Sequence, residues 1–324
     1  MLKINHAGLL WRGLLILLFS WIYVFFPWTE FVGVNPDTFN YLNDIKNLLI
    51  QGDAGSSGMN VFQWVFSEPL WRSILILVGN CFHDPFNGLR FISFVCIFTF
   101  TLFLFMRIRN YFLVLFFLLN PLVVDLVMFQ TRSALAVALC LGALMVRIRP
   151  LILILIVMAS LIHSAIFVIL GVYLYARFLE KNENRFDYKW LSLFSLVFAA
   201  VLSVVLGPGR ESILGAMGDR RAIYDTDMNS FLYLGFWLLL AVILSVAHRR
   251  NSSTKCRAEY YSIVMLSLPF FMRMLSVNGV RFIALSFPFI LYAILRSVTP
   301  FRELLISSLF IYQSVQYVYW LRMI

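Results

Sequence analysis

Long uninterrupted apolar runs are the feature that most limits what this chain can fold into. Runs of about 15–20 residues recur along the sequence, and about 20 apolar residues make a helix long enough to cross a bilayer. Of the 324 residues 61% are hydrophobic and 13% are charged, whereas a soluble domain carries about 25% charged residues. The strands of a membrane barrel would instead alternate over about ten residues. The sequence therefore predicts an all-α, polytopic integral membrane protein.

The order of the runs predicts one membrane domain, residues 1–324, with about 10–12 transmembrane helices, some of them short or broken. The first run, Ala7 to Phe26, lacks a small-residue cleavage site and is interpreted as a retained first helix. Residues 27–87 then form a first periplasmic loop, in which the short run 69–82 predicts an interfacial or re-entrant helix. A second periplasmic loop covers residues 207–230. Spans are expected at about 88–106, 111–129, 132–147, 151–162, 165–177, 190–206, 231–247, 259–276, 280–296 and 302–320.

Residues 151–177 allow two interpretations, two short helices that meet at His163-Ser164 or one long tilted span. The first places 16 of the 26 basic residues on the cytoplasmic side. The second, combined with a full span at 69–82, places 14 there. Because Lys and Arg concentrate in cytoplasmic loops, the charge distribution favours the split.

Charge and composition exclude several classes of function. The net charge of +10 comes from residues in short loops between the spans, a pattern that needs no nucleic acid partner. The four cysteines show no disulfide framework, and the four histidines fall in separate segments, so neither a metal nor a cofactor is predicted. Zinc-protease, phosphate-loop, hydrolase and dinucleotide motifs are also missing from the sequence.

Isolated ionisable residues at helix ends are the candidate functional groups. Arg132 and Arg281 each open a helix that starts at the outer face, and His163 precedes another. Thr131 and Ser164 are the expected helix caps. Such helix starts favour anions, and guanidinium groups bind phosphate oxygens in pairs, so the pattern predicts a diphosphate clamp.

Further groups extend this interpretation, and each has an alternative. The outer loop adds Arg220, Arg221 and Tyr224. The arginines at helix ends could instead snorkel to the interface, His163 could be a satisfied buried imidazole, and the loop arginines could be a solvated pair. Asp125 lies in an apolar run and needs a partner, which the sequence does not assign.

Several short signatures resemble the EpsG/Wzy group of bacterial polysaccharide polymerases. The segment SLIHSA around His163 resembles the family's S-L-F-H-x-S-A run closely, and FQTRSALA around Arg132 resembles its I-R-Q-G-L-A run, with Ser-Ala in place of Gln-Gly. Asp37 and Tyr41 resemble the D-x-x-x-Y element of the first outer loop. Glu68-Pro69-Leu70 is similar to the E-P-G-[FY] start of the next segment, except at the glycine. Arg281-Phe282-Ile283 is similar to the late N-R-[IF] element, with Asn278 displaced by three positions.

The resemblance implies an inner-membrane glycosyltransferase whose active site faces the periplasm. It would transfer a growing O-antigen or exopolysaccharide glycan from undecaprenyl pyrophosphate to a lipid-linked repeat unit, without metal. A chain-length regulator and a flippase would be its partners beside the lipid bilayer.

The resemblance and the charge pattern together give a hypothesis for each site residue. Arg132 and Arg281 grip the diphosphate, and the expected substrate contacts include Arg220, Arg221, Tyr224, Gln130 and Tyr41. The base is His163, Asp37 or Glu68, with His163 preferred because its ordinary pKa lies near neutral pH. A flippase or transporter of lipid-linked sugars and a membrane O-acyltransferase are the alternative functions.

Overall fold

The chain is all-helical in the computed structural model, which describes residues 6–32, 36–51, 61–209, 229–248 and 257–322. These ranges contain sixteen α-helices and one π-helix and no β-strand, which confirms the predicted all-α class. The helices form two compact units, one made of residues up to 166 together with the end of the last helix, and one of residues 167–312. The prediction of a single membrane domain stays a prediction.

The first unit contains the N-terminal helices and everything up to the break at residue 163. Its helices are α1 (His6–Phe25), α2 (Trp28–Val32), α3 (Pro36–Gln51), α4 (Val61–Phe66), α5 (Pro69–Cys81), α6 (Pro85–Phe105), α7 (Tyr111–Leu118), α8 (Pro121–Val124), a π-helix (Asp125–Phe129), α9 (Thr131–Met145) and α10 (Arg149–Ile162). Helix α6 packs against α1 and α9, and α10 packs against both α9 and α5. The core between α6 and α9 is closed by fully buried apolar side chains such as Ile97, Phe100 and Leu141.

The second unit is organised around one buried helix. Its helices are α11 (Ile166–Lys181), α12 (Tyr188–Leu206), α13 (Phe231–His248), α14 (Arg257–Met274), α15 (Val280–Arg296) and the first part of α16 (Phe301–Arg322). Helix α14 packs against α12, α13 and α15. Residues 259–269 of α14 are buried all round, as expected for a helix at the centre of a bundle.

Proline and capping residues fix where the helices of the first unit begin. Pro69, Pro85 and Pro121 each occupy the first turn of a helix, where a missing backbone N–H costs nothing. The Asp84 carboxylate accepts a hydrogen bond from the Phe86 N–H at 3.0 Å and caps α6. Proline and capping residues can be recognised in the sequence, so the sequence alone indicates where these helices begin.

The predicted single span at 111–129 is bent in the structure. Its two parts, Tyr111–Leu118 and Pro121–Phe129, meet at an angle of 65°. Pro121 cannot donate to the preceding turn, and the Asn120 side chain accepts from the Leu122 N–H at 3.0 Å and starts a new helix there. The sequence-based prediction of one span does not include this break, because it rests only on the continuous apolar run.

The two interpretations of residues 151–177 are resolved in favour of a break. Helix α10 ends at Ile162, and α11 begins at Ile166. The short run in the first loop also forms a helix of only 13 residues, Pro69–Cys81. At 1.5 Å per residue this is about 20 Å, too short for the hydrocarbon core of a bilayer.

Several helices have the composition of membrane spans. Among the described residues two helices, Pro85–Phe105 and Tyr188–Leu206, are long and apolar enough to cross a membrane, and the bent pair would make a third. Shorter apolar helices are Leu10–Phe25, Thr131–Met145, Arg149–Ile162 and Phe231–Ala247. The total of about 10–12 spans and their orientation stay predictions.

Candidate functional site

Glu68 is the centre of the candidate site. It precedes α5 with φ 59° and ψ 55°, a left-handed conformation that a residue with a side chain rarely adopts. The residue is only 4% exposed. A buried carboxylate costs a large free energy unless it is paired, so its partners identify what it does.

Both carboxylate oxygens of Glu68 accept hydrogen bonds from distant parts of the chain. Oε2 accepts from Arg132 Nη1 at 2.5 Å. Oε1 lies 2.9 Å from His163 Nδ1, and it accepts from the backbone N–H and the hydroxyl of Ser164 at 3.1 and 3.3 Å. We name these four residues, Glu68, Arg132, His163 and Ser164, the carboxylate cluster.

Arg132 reaches the carboxylate from the first turn of α9. The helix begins at Thr131, with Gln130 in the cap position and no side-chain cap bond. The prediction that Thr131 caps this helix is therefore wrong, because Thr131 is already a helical residue. The side chain of Arg132 remains 26% exposed, and its Nε atom, although buried, has no hydrogen-bond partner among the described residues.

His163 lies where α10 ends. Its backbone is extended, with φ −150° and ψ 117°, and its N–H closes the last turn on the Ala159 carbonyl. The side chain is 13% exposed. The change of direction at this residue turns both its imidazole and the following Ser164 N–H toward the same oxygen of Glu68.

The hydrogen bonding of the cluster indicates the tautomer of the imidazole. The ion pair with Arg132 favours an ionised Glu68, and because an ionised carboxylate only accepts hydrogen bonds, the proton between the two groups is assigned to His163 Nδ1. In a neutral imidazole this leaves Nε2 as the basic nitrogen. The arrangement can therefore accept a proton at Nε2 while Glu68 stabilises the resulting imidazolium, and the charge of Arg132 balances that of Glu68.

Gln130 and Asp125 form a second polar pair beside the cluster. The buried Gln130 donates from Nε2 to Asp125 Oδ2 at 2.6 Å, across the π-helix. Gln130 is thus the partner of Asp125 that the sequence did not assign. A π-turn is frequent at functional sites, and this one ends at Phe129, three residues before Arg132.

Besides Glu68, two residues expected from the first outer loop lie on α3. Asp37 is half-buried in the first turn of that helix. Tyr41 is buried, and its ring meets that of Trp71 edge-on at 5.2 Å between centroids. Trp71 lies three residues after Glu68, so Tyr41 supports the start of α5 through this ring.

The remaining predicted site residues belong to the second unit or lie outside the described part. Arg281 is exposed at the second residue of α15. Arg220, Arg221 and Tyr224 lie outside the described residues, as does most of the predicted loop 207–230. Their roles stay predictions.

The sequence indicates Glu68, Arg132, His163 and Ser164 as functional or capping residues, but it does not pair them. It predicts Glu68 as one of three alternative bases and Ser164 as a helix cap. The residue types could have indicated the pairing, since a scarce carboxylate in an apolar chain needs one of the few cations as its partner.

Comparison of the chain with models of protein families, with curated proteins and with solved structures found no match.

Proposed function

We propose that this protein is a glycosyltransferase that polymerises a lipid-linked glycan at the outer face of a membrane. The observation that carries the proposal is the buried carboxylate cluster, in which Glu68 holds a guanidinium and an imidazole side by side. The guanidinium comes from Arg132, 64 positions after Glu68, and the imidazole comes from His163, 95 positions after it. A buried carboxylate held against a partly buried guanidinium and a partly buried imidazole is costly unless it has a use, and such groups in membrane helices are functional by default.

The proposed reaction transfers a sugar from a polyprenyl diphosphate to an acceptor hydroxyl. The acceptor oxygen bonds to the anomeric carbon as the bond from that carbon to the diphosphate oxygen breaks. The acceptor proton passes to His163 Nε2, and the bond electrons leave with the polyprenyl diphosphate. Arg132, which presents further N–H groups beside the one that Glu68 occupies, stabilises the charge on the departing phosphate.

The contacts of Glu68 favour His163 over Glu68 itself as the base. Both oxygens of Glu68 already accept hydrogen bonds, which makes it a positioning residue for the imidazole. A carboxylate that orients histidine in this way holds the ring and its tautomer. General base catalysis of this kind contributes about 10²–10⁴-fold to a rate.

The test is a set of substitutions in a strain that lacks the chromosomal gene. We expect Arg132→Ala, His163→Ala and Glu68→Gln to replace the ladder of long glycans on a gel with single repeat units, at unchanged protein level. Glu180→Gln is the matched control, because it removes the acid of another ion pair with a 2.5 Å separation, in the second unit. Normal ladders from both Arg132→Ala and His163→Ala would refute the proposed reaction.

The same strains separate the two rival functions. Loss of a transporter would strand lipid-linked repeat units on the cytoplasmic leaflet. Loss of an O-acyltransferase would leave glycan length unchanged and remove acyl groups, which mass spectrometry of the glycan would reveal.

A further inference from the structure

A partly open cleft lies at one end of the first unit. Its walls come from the end of α1, from α2, from the first turn of α3, from the start of α6 and from the end of the π-helix. A water-sized molecule can enter about 30 Å³ of it, and the wider empty space of about 430 Å³ includes the open surroundings. The cleft does not include any member of the carboxylate cluster, although Phe129 in its wall lies three residues before Arg132.

Arg90 supplies the positive charge of this cleft. Its guanidinium lies over the Phe86 ring at 4.5 Å and near the Phe25 ring at 5.9 Å. Within the described part of the chain no carboxylate pairs with Arg90, and its buried Nε atom has no hydrogen-bond partner. A cation that is held by ring faces and not neutralised retains its attraction for an anion.

Thr38 supplies an independent polar group. The residue is only 8% exposed, and it lines the same cleft. Its hydroxyl, also buried, has no hydrogen-bond partner among the residues that the structure describes. A buried hydroxyl without a partner costs free energy, so its presence beside an unpaired arginine indicates a ligand that accepts from both.

Apart from Thr29 and Ser93, the rest of the cleft wall is apolar. Phe26, Trp28, Leu89 and Met128 face the same space. An inorganic anion would gain nothing from these surfaces, whereas a phosphate ester with a hydrocarbon tail would bury its tail against them. Guanidinium groups bind phosphate oxygens with fixed geometry, which suits the head of such a molecule.

We infer that the cleft around Arg90 and Thr38 binds the phosphate ester group of a membrane lipid. Arg90 donates to the phosphate oxygens, the Thr38 hydroxyl donates a second hydrogen bond, and the aromatic wall takes the first part of the hydrocarbon chain. This assignment rests on residues that the proposed glycosyl transfer does not use, so it stands or falls separately from that reaction.

The test is native mass spectrometry of the full chain in detergent with defined lipids. The probes are phosphatidylglycerol and a polyprenyl monophosphate, which distinguish a phospholipid from a carrier lipid, with diacylglycerol and inorganic phosphate as the comparisons. We expect Arg90→Gln to weaken binding of at least one lipid phosphate about tenfold, equivalent to about 1.4 kcal/mol. Arg109→Gln, which removes an exposed charge beyond the other end of α6, is the matched control and should leave binding unchanged.

A second variant tests the site without removing the charge. Thr38→Val has nearly the same shape and eliminates the orphan hydroxyl, so the lipid-free protein should be as stable as the wild type or more stable. Lipid binding should nevertheless fall about threefold, since one neutral hydrogen bond is lost. Unchanged lipid binding in both folded variants would overturn the inference, as would equal binding of diacylglycerol, or displacement of the lipid by millimolar inorganic phosphate.

Discussion

Glu68 combines an unfavourable backbone conformation with a fully used side chain. A left-handed conformation costs a residue with a side chain about 1–2 kcal/mol. The conformation at the start of α5 lets the carboxylate receive Arg132, His163 and Ser164 from two other helices. Strain of this kind persists where the surroundings hold it, and it concentrates at functional sites.

The pairing of Glu68 with Arg132 should be measurable as an interaction energy. We expect a double-mutant cycle of Glu68→Gln and Arg132→Gln to give a coupling of about 1–3 kcal/mol, because Arg132→Gln takes a cation from the buried Glu68 carboxylate and Glu68→Gln leaves a partly buried guanidinium without its acid. Urea unfolding of the protein in detergent micelles provides the free energies.

A second ion pair provides the control for that cycle. Arg257 Nη2 lies 2.5 Å from Glu180 Oε2 in the second unit, with side-chain exposures similar to those of the Arg132–Glu68 pair. A cycle of Glu180→Gln and Arg257→Gln should also show coupling, yet without shortening the glycan. A coupling near zero for Glu68 and Arg132 would show that their contact does not stabilise the protein.

At the scale of helices, the candidate site depends on how closely α5 packs. Gly79 and Gly88 let α5 approach its neighbours: a Cβ at Gly79 would come within 2.8 Å of Leu49 on α3, and one at Gly88 within 2.5 Å of Val78. The packing of α5 against α3 and α6 is thus set by two residues without side chains. Because Glu68 is the residue before α5, a shift of this helix would move the carboxylate.

Gly88→Ala should destabilise the protein by about 1–3 kcal/mol through overpacking. Glycan length should fall together with stability, because the added Cβ meets the Val78 side chain of α5, and a shift of this helix moves Glu68. Gly13→Ala in α1 is the control, since nothing lies within 4 Å of the added Cβ. It should raise stability by about 0.5–1 kcal/mol, as alanine does in a helix. Thermal unfolding in detergent measures both, and a Gly88→Ala protein as stable as the wild type would contradict the packing argument.

At the scale of the molecule, the helix ends that carry the cluster and the cleft around Arg90 belong to the first unit. Helix α5 begins after Glu68, α9 begins beside Arg132, and α10 ends before His163. The side of the membrane on which these ends lie decides which substrates can reach them. The charge distribution predicts the outer side.

Labelling of Cys81 tests this orientation. Cys81 is exposed at the end of α5, whereas Cys96 and Cys140 are buried. In a Cys256→Ser protein we expect an impermeant maleimide to label Cys81 in intact cells, because α5 is too short to carry it across the bilayer. An Arg109→Cys variant in a Cys81→Ser, Cys256→Ser background should be labelled only after permeabilisation. The reverse pattern would place the end of α5 in the cytosol and exclude a periplasmic site.

Local features were enough for the sequence to determine much of this protein. Apolar runs gave the all-α class, and Pro69 together with a run of limited length gave the short helix α5. Interruption of the apolar pattern at His163-Ser164, supported by the charge distribution, gave the break between α10 and α11. Because ionisable residues are scarce in this chain, the sequence also indicated Glu68, Arg132 and His163 as candidate functional residues. All of these depend on residues close in sequence, whose periodicity and capping act without the rest of the fold.

Only the tertiary structure decided which of these residues meet. Packing of α10 against both α5 and α9 places Arg132 and His163 on one carboxylate, although they lie 64 and 95 positions from it. Packing of α3 and α6 likewise brings Thr38 and Arg90 into one cleft, whereas the bend at Pro121 has a local cause in Pro121 and Asn120. Hydrophobic burial is non-directional. An apolar sequence therefore predicts that its helices pack together, but it does not predict which polar groups the packing brings into contact.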